Sequence, residues 1–405
     1  MPTHLSPTNP IRILPAMVAN DEAIVMAGIP AVNMSLLHRI RFRVGDPVAM
    51  MEWSLGGGNR IRTLILRDIE IDRARKTARA DNICSPLDFS PSNGLSSERE
   101  TATAQALAEC LVRAGAKKAV CDRTFPAIFQ HHLVNAGISV RCDPLLFTLD
   151  RRAKDATEIA AMQESQRVTE RAIELACRFI ANASANASGG LLHQGSPVTS
   201  ERVRGEIDTF LIREGYENPR SIVAGGPQGG DCHHDGTGPL QTGQPIIVDV
   251  FPRNKASGYW GDSTRTVVHG TIPTEVARMH AAVVLAKATA IKSVKAGVTG
   301  DSVHAVTRRV IQDAGFGMGL PPMNSPATWC GMVHGTGHGV GLDVHELPLV
   351  DAGGPELIDG DTITIEPGLY CHAIGGIRVE DAIVVTRDGA MNLGNGLPEG
   401  LDWRG

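Results

Sequence analysis

The sequence predicts an α/β domain followed by a larger α+β domain. The chain has 405 residues, more than one ordinary hydrophobic core accommodates, so two domains are expected. Over roughly the first 150 residues, short apolar runs alternate with helical patterns. Beyond them the helices are grouped, and the last hundred residues are rich in strand patterns. We therefore expect domains at residues 1–151 and 152–405.

The first domain has the alternation of strands and helices that is typical of an α/β fold. KKAVCD around Val120 and ISVRC around Val140 are expected to be strands. TATAQALAECLVRAGA, between Leu95 and Gly115, has the spacing of a helix that ends at the glycine. The run Gly56–Gly58 lacks the spacing of a phosphate-binding loop and predicts a hairpin or a loop.

The second domain begins with an amphipathic helix of about eight turns from Arg152. NASANASGGLLHQGSP follows, and its low-complexity composition predicts a loop. TSERVRGEIDTFLIREG predicts a helix that Gly215 ends, and two further helices are expected at 274–296 and 300–314. GQPIIVDVF, DSTRTVVHG, DTITIEPGLY and GIRVEDAIVVT are expected to be strands, which completes the α+β pattern.

The composition restricts the class of function. Charged residues make up 20% of the chain and the net charge is −5, so neither nucleic acid nor an anionic membrane surface is an expected partner. The eight cysteines form no CxxC pair, which argues against a zinc ribbon or a disulfide scaffold and favours a reducing compartment. No apolar stretch approaches the roughly 20 residues of a membrane span, and the N-terminus lacks a signal-peptide pattern. We expect a cytoplasmic globular protein.

VHGTGHGVGLDVHE, which begins at Val333, places three histidines among four glycines. Each glycine would cost roughly 1 kcal/mol in a helix, whereas in extended backbone it lets other groups approach closely. By the two-residue period of a strand, His334 and His338 share a face and His345 has the opposite parity. From this stretch alone, a flexible loop and a metal or catalytic site are equally good explanations.

Four carboxylates stand within or at the head of apolar strands. They are Asp249 in PIIVDVF, Asp262 in GDSTRT, Glu366 in TITIEPG and Glu380 in GIRVED. A buried carboxylate is unfavourable by several kcal/mol unless it is paired or coordinated. One of them could pair with Arg265 or Arg378, but coordination explains four of them better. Two divalent cations would balance the four charges, and the donor set suits Mn²⁺, Co²⁺, Fe²⁺ or Zn²⁺. Paired metals lower the pKa of a shared water toward about 7, so these residues predict a two-metal hydrolase.

The motifs IVDVF with GDSTRT, HGTGHGVGLDVHE, TIEPGLY and GIRVED, in that order, resemble the pita-bread (M24) metallopeptidases. That family includes methionine aminopeptidase, aminopeptidase P and prolidase. The resemblance runs from about Arg152 to the C-terminus, whereas residues 1–151 resemble the family's creatinase-type N-terminal domain only in position and α/β pattern. It implies a pita-bread catalytic domain with two divalent metal ions, preferably Mn²⁺, that acts on peptides and forms a homodimer.

The resemblance also implies roles for individual residues. The metal ligands would be Asp249, Asp262, His338, Glu366 and Glu380. Asp249 would hold one metal ion, His338 and Glu366 the other, and Asp262 and Glu380 would bridge the two. Glu366 would also take the proton from the attacking water, which requires hydrogen-bond reach.

Further residues are expected to contact the substrate. By the same resemblance, His345 would line the pocket and stabilise the transition state. A second pocket histidine is expected in DCHHDG, where we favour His233 and leave His234 open. His334 would support the site from behind the ligands. Arg378 would pair with a substrate carboxylate, since a guanidinium suits that role, or would orient a metal ligand through a salt bridge.

The spacing of the two aspartates departs from the family pattern. Asp249 and Asp262 are 13 positions apart, two more than the family leads us to expect, so FPRNKASGYW must form a longer turn. An insertion of two residues preserves the facing of the side chains in a strand pair. Both aspartates therefore remain candidate ligands.

The extra N-terminal domain and the LDVHE motif resemble aminopeptidase P and prolidase more than methionine aminopeptidase. Both relatives cut the bond before proline, whose nitrogen carries no N–H. We therefore expect an Xaa-Pro aminopeptidase that acts through attack of a metal-bridging hydroxide. The alternatives are an Xaa-Pro dipeptidase (prolidase), a non-catalytic peptide-binding module and a creatinase-like hydrolase.

Overall fold

The structure is a computed structural model that describes residues 22–56 and 59–404. The chain divides into two units, Met1–Arg151 and Arg152–Gly405. No helix in the described part of the chain is both long and apolar enough to cross a membrane.

Unit 1 is built on a six-stranded mixed sheet. Its strands are β1 (Glu22–Gly28), β2 (Val48–Gly56), β3 (Asn59–Ile65), β4 (Asn82–Cys84), β5 (Lys118–Cys121) and β6 (Ser139–Cys142), in the order β4-β3-β2-β1-β5-β6. β1 pairs with β2 antiparallel and with β5 parallel. β2 and β3 are antiparallel neighbours on either side of the glycine run, but Gly57 and Gly58 lie outside the described residues.

Helices cover both faces of this sheet. They are α1 (Met34–Ile40), α2 (Ile71–Thr77), α3 (Arg99–Arg113) and α4 (Ala127–Asn135), and α5 (Thr148–Arg152) follows at the division between the units. Alternate residues of β1 point to opposite faces: Val25 belongs to the core with Leu107 of α3, and Met26 to the core with Leu36 of α1. The α/β fold expected for the first part of the chain is confirmed.

Unit 2 contains four longer helices. They are α6 (Ala156–Ala181), α7 (Ser200–Arg213), α8 (Thr274–Ser293) and α9 (Gly300–Asp313). The Asp155 side chain caps the first turn of α6, so this helix begins later than Arg152. α8 ends three residues before the expected Ala296, because Val294 has extended backbone and stops the helix there.

The strands of unit 2 form several small sheets. They are β7 (Ser184–Ala185), β8 (Leu191–His193), β9 (Ser196–Pro197), β10 (Tyr216–Glu217), β11 (Ser221–Gly225), β12 (Pro245–Val250), β13 (Arg253–Asn254), β14 (Ser263–Val268), β15 (Gly317–Met318), β16 (Cys330–Met332), β17 (Gly337–Gly339), β18 (Glu346–Val350), β19 (Thr362–Ile365), β20 (Gly368–Cys371), β21 (Gly375–Arg378), β22 (Asp381–Val385) and β23 (Ala390–Asn392). The sheets relevant to function have the orders β11-β12-β14, β15-β16-β20-β21 and β18-β17-β19-β22-β23. α6 and α7 share a core with β12 and β14, and α8 and α9 share one with β20 and β21.

The prediction of a loop at NASANASGGLLHQGSP was wrong. This segment forms the small antiparallel sheet β7-β8-β9. The Asn186 side chain accepts hydrogen bonds from the backbone N–H groups of Ser188 and Gly190, which closes the turn between β7 and β8. Leu191 is buried at the start of β8. Turn chemistry and one buried leucine thus override a composition that is typical of loops.

Candidate metal centre

The strand pair β12–β14 places both aspartates on one face. Asp249 lies opposite Thr264 in the antiparallel register, and Asp262 stands two residues before Thr264. Because side chains two residues apart in a strand share a face, the longer connection between the strands leaves the facing of the two carboxylates unchanged. Asp249 and Asp262 are both buried and both line one cavity.

The remaining candidate ligands arrive on other strands. His338 is in the middle of β17, and Glu366 directly follows β19. The backbone N–H of Glu366 donates to the carbonyl of Thr336, which ties the end of β19 to the start of β17. Glu380 precedes β22 and forms a backbone bridge with Thr264, so it stands beside the aspartate pair.

These side chains converge on one cavity of about 660 Å³. Ligand atoms of Asp262, His338 and Glu380 all lie within 4.8 Å of one another. The His338 Nε2 atom is 3.7 Å from Asp262 Oδ2 and 3.3 Å from Glu366 Oε1. Asp249 lines the same cavity. Four carboxylates and one imidazole from separate strands therefore surround a single space.

Backbone contacts set the direction in which His338 presents its ring. Its Nδ1 atom is 3.1 Å from the carbonyl oxygen of Gly339, to which an Nδ1–H group donates. This assignment leaves the Nε2 lone pair facing the carboxylates, as a metal ligand requires. Burial lowers the pKa of His338, so the neutral imidazole is favoured.

The electrostatics of the cavity fit a cation. Burial, followed by the negative charges of the neighbouring carboxylates, raises the pKa of Asp262 and of Glu380 well above their ordinary values. Burial also raises the pKa of Glu366, although the nearby His334 and Arg378 partly oppose the shift. The Oδ1 atom of Asp249 is buried without a hydrogen-bond partner among the described residues. Divalent cations would offset this repulsion and occupy the open oxygen, and carboxylate with imidazole is a donor set that such ions accept.

Arg378 is a buried part of this cluster. Its Nη2 atom is 2.5 Å from Asp249 Oδ2, and its Nη1 atom donates to the Tyr370 hydroxyl at 2.9 Å and to the Cys232 carbonyl at 3.2 Å. The Nε–H group donates to Thr264 Oγ1. Of the two roles that the sequence leaves open, this geometry favours the salt bridge that orients a ligand carboxylate.

All three histidines of VHGTGHGVGLDVHE line the cavity. The ring centroids of His338 and His345 are 4.3 Å apart, and the His334 ring contacts the Tyr370 hydroxyl and the Gly335 carbonyl at 2.7 and 2.8 Å. The parity argument places His345 on the opposite face from the other two, which is wrong because the stretch is not one strand. β17 ends at Gly339, and the chain turns back into β18.

The histidine pair in DCHHDG separates in the structure. His233 lines the cavity and is exposed to it, whereas the ring Nδ1 of His234 accepts a hydrogen bond from the Gly236 N–H. The placement favours His233 as the pocket histidine over His234.

Two residues that connect the candidate ligands, Thr264 and Tyr370, are not among those predicted from the sequence. The hydroxyl of Thr264 donates to Glu380 Oε2 at 2.7 Å, and Tyr370 connects His334 with Arg378. Both residues lie inside the quoted motifs, where a hydroxyl in an apolar strand could have indicated them.

A second cluster of charged residues lies next to Glu380, at the start of β22. Arg265 donates to the Glu380 carbonyl at 2.6 Å and to Asp381 Oδ1 at 2.7 Å. Lys287 of α8 contacts the other oxygen of Asp381 and also lies 2.6 Å from Glu399 Oε1. Arg265 thus pairs with Asp381 and not with a candidate ligand.

Comparison with known proteins identifies the family. A family model described as metallopeptidase family M24 matches residues 160–387, which is more than half of the chain. The chain belongs to metallopeptidase family M24. The resemblance stated from the four sequence motifs is therefore confirmed.

Two curated relatives and one solved structure show what this M24 chain is similar to. It is 31% identical over 248 residues to a probable dipeptidase PepE of Mycobacterium bovis. The matched stretch covers 60% of this chain and 59% of that protein. It is 32% identical over 197 residues to an Xaa-Pro dipeptidase of Lactobacillus helveticus. That stretch covers 47% of this chain and 50% of the dipeptidase. The matched stretches thus span between half and three fifths of these relatives. The structure of an X-Pro aminopeptidase from Thermotoga maritima superposes with a TM-score of 0.73 at 22% sequence identity. The match covers 94% of this chain and 96% of the aminopeptidase chain. The expected pita-bread fold is confirmed.

Proposed function

We propose that this M24 protein is a two-metal peptidase that hydrolyses Xaa-Pro dipeptides. The observation that carries the proposal is the convergence of four buried carboxylates and His338 on one cavity. We assign Asp249, Asp262, His338, Glu366 and Glu380 as the residues that would hold the two ions. Divalent cations at such a site polarise a carbonyl oxygen and make a water molecule more acidic.

Glu366 is the residue we assign to proton transfer. Its Oε1 atom lies 3.3 Å from His338 Nε2 and faces the cavity, so a water beside the ligands is within its reach. As the water oxygen bonds to the scissile carbonyl carbon, Glu366 accepts its proton. When the carbon–nitrogen bond breaks, Glu366 passes that proton to the leaving proline nitrogen.

His345 and His233 are assigned to the developing negative charge on the substrate carbonyl oxygen. Both line the cavity, and burial lowers the pKa of His345, so a neutral ring donates a hydrogen bond without repelling the cations. Arg378 is assigned to the orientation of Asp249, since its donors are directed to Asp249, Tyr370 and Cys232.

The dipeptidase assignment is supported better than the aminopeptidase function that the motifs first suggest. One curated relative is named a probable dipeptidase and the other an Xaa-Pro dipeptidase. The shared fold does not discriminate, because a similar structure is named as an aminopeptidase. The complete carboxylate set disfavours a metal-free creatinase-like hydrolase and a non-catalytic module.

Three finer properties belong to the same proposal. We assign Mn²⁺ as the preferred ion, with Co²⁺, Zn²⁺ and Fe²⁺ as alternatives, because all of them accept this donor set and availability decides. A homodimer and a cytoplasmic location complete the proposal. They rest on the family resemblance and on the composition.

The test is one mass-spectrometric assay on metal-stripped protein reloaded with Mn²⁺. Ala-Pro and Ala-Pro-Ala are incubated together with wild type, with Glu366→Gln, and with Glu206→Gln on the exposed side of α7 as a control. We expect cleavage of Ala-Pro by wild type and Glu206→Gln and a loss of at least about 10³-fold in Glu366→Gln. Formation of Pro-Ala, the second product when alanine is removed from Ala-Pro-Ala, would instead support an aminopeptidase. Protein that binds two metal ions and cuts neither peptide would overturn the proposal.

A further inference from the structure

We infer that Arg220 binds the free α-carboxylate of the dipeptide substrate and thereby selects dipeptides over longer peptides. This inference rests on the proposed function, because it assumes that a peptide bond is cut at the carboxylate-lined end of the cavity. No sequence motif indicates this residue. It is the strand register and the charge of the cavity wall that indicate it.

The register of β11 places Arg220 beside the candidate metal ligands. Ile222 of β11 lies opposite Asp249 of β12, and Arg220 stands two residues before Ile222, just outside the strand. If the two-residue period continues, Arg220 and Ile222 share a face, about 7 Å apart along the chain. Both side chains line the cavity, together with Phe251 just beyond β12. Arg220 and the candidate metal ligands therefore face the same cavity.

Arg220 is the guanidinium of the cavity wall that remains available to a substrate. Among the described residues that line the cavity, the arginines are Arg378 and Arg220. Arg378 is buried, and its donors are directed to Asp249, Thr264 and other protein acceptors. The side chain of Arg220 is 47% exposed.

The hydrogen bonds of Arg220 hold the guanidinium in place and leave donors free. Its Nε–H donates to Asp235 Oδ1 at 2.5 Å, and one Nη2–H donates to the His233 carbonyl at 2.5 Å. Within the described part of the chain, Nη1 has no protein acceptor. A guanidinium has five N–H donors, so both Nη1–H groups and one Nη2–H group remain for a carboxylate to accept.

The group that these donors would bind distinguishes a dipeptide from a longer peptide. In Xaa-Pro, the carboxylate lies one residue beyond the scissile amide, and one residue spans at most about 3.8 Å between Cα atoms. A longer peptide has a neutral amide at that point, which forms a weaker hydrogen bond with a guanidinium. Ile222 and Phe251 add apolar wall on the same side, where a proline ring would pack.

The same contacts allow a purely structural role, which the experiment must separate. Arg220 holds the carbonyl of His233, so its loss could act by displacing that histidine. Arg204 provides a matched control, because it donates to the carbonyls of Asp235 and Gly236 in the same segment but is not part of the cavity lining.

The experiment compares Ala-Pro with Ala-Pro-amide on the Mn²⁺-loaded enzyme. We expect Arg220→Gln to lower kcat/KM for Ala-Pro roughly 10- to 100-fold, mainly through KM, and to change kcat/KM for the amide little. Arg220→Lys should recover part of the loss, and Arg204→Gln should leave both substrates near wild type. In wild type, free proline should inhibit at least about tenfold more strongly than prolinamide.

The outcomes separate this inference from the proposed function. An equal loss for Ala-Pro and its amide in Arg220→Gln, or no loss, would overturn the role of Arg220 while Xaa-Pro hydrolysis by wild type still stood. Equal inhibition by proline and prolinamide would overturn it without any variant, which covers the case that Arg220→Gln does not fold. Wild-type protein that cuts no Xaa-Pro peptide would reject the proposed function and this inference together.

Discussion

Gly337→Ala should damage both stability and metal binding, because Gly337 of β17 lies directly against the backbone of β19. A Cβ atom at Gly337 would lie 1.9 Å from the carbonyl oxygen of Thr364 and 2.7 Å from its carbonyl carbon. Both contacts are with backbone, so no side-chain rotation relieves them. Gly335→Ala is the matched control, since its nearest contact is with the Asp351 side chain at 2.9 Å and not with backbone, and that side chain is 48% exposed, so it has room to shift.

The geometry determines the size of the effect. To bring this contact to an ordinary distance of about 3.4 Å, the two strands must separate by about 1.5 Å. Overpacking of this kind costs about 1–3 kcal/mol of unfolding free energy, and a backbone clash belongs to the upper end of that range. His338 is the next residue along β17, and a metal site tolerates ligand displacements of only about 0.2 Å. We therefore expect metal affinity to fall about 10- to 100-fold.

Two measurements on the purified variants test this reasoning. Urea unfolding gives the change in stability, and a competition titration with a metal-chelating dye gives the affinity for Mn²⁺. Gly337→Ala should lose stability and affinity, and Gly335→Ala should lose little of either. If Gly337→Ala binds Mn²⁺ and unfolds like wild type, the close approach of β17 and β19 is not what places His338.

Three further outcomes are expected. Arg378→Lys keeps the charge beside Asp249 but loses the planar fork, so metal content by mass spectrometry and kcat should fall together; a change confined to KM would indicate direct substrate binding instead. Glu52→Gln should lower the unfolding free energy by about 3–5 kcal/mol, because the buried Glu52 carboxylate accepts from Arg39 and Arg62 at 2.7 Å. Burial alone would raise the pKa of Glu52, but the two guanidinium groups lower it overall. The stability that the ionised Glu52 contributes is therefore fully present above about pH 4.5 and is lost as the pH falls through the lower pKa of the folded state. A stability difference between variant and wild type that does not shrink in acid would contradict this. Chelation should lower Tm by roughly 5–10 °C, and Mn²⁺ should restore it, whereas an unchanged Tm in calorimetry would show that the folded protein does not bind the ion.

The sequence by itself determined most of the helices of unit 2. Thr199 and Thr299 cap α7 and α9 with their side chains, and Gly215 and Gly315 follow the helix ends with φ values of 85° and 83°. These signals act between residues a few positions apart, so a linear reading contains them. The end of α8 at Ser293 has no glycine or proline to mark it, and its position was predicted three residues too late.

The sequence also indicated the candidate ligands, because a carboxylate among β-branched residues stands out within a single strand. It could not indicate which partner each carboxylate meets. Asp249 meets Arg378 across 129 positions of the chain, and Thr264 meets Glu380 across 116. Such contacts depend on strand pairing, which short-range patterns do not specify.

Only the tertiary structure decided the composition of the cavity wall. His345 lines the cavity, although the two-residue period of a strand predicts that it faces away from His334 and His338, because the chain turns between β17 and β18. Arg220 lines the cavity although its segment contains no motif, because the register of β11 on β12 places it beside Asp249. Local propensity acts through near neighbours in the chain, whereas a binding site is assembled from distant segments by burial and backbone pairing. The sequence therefore determined the available chemical groups, and the fold decided which of them face the same space.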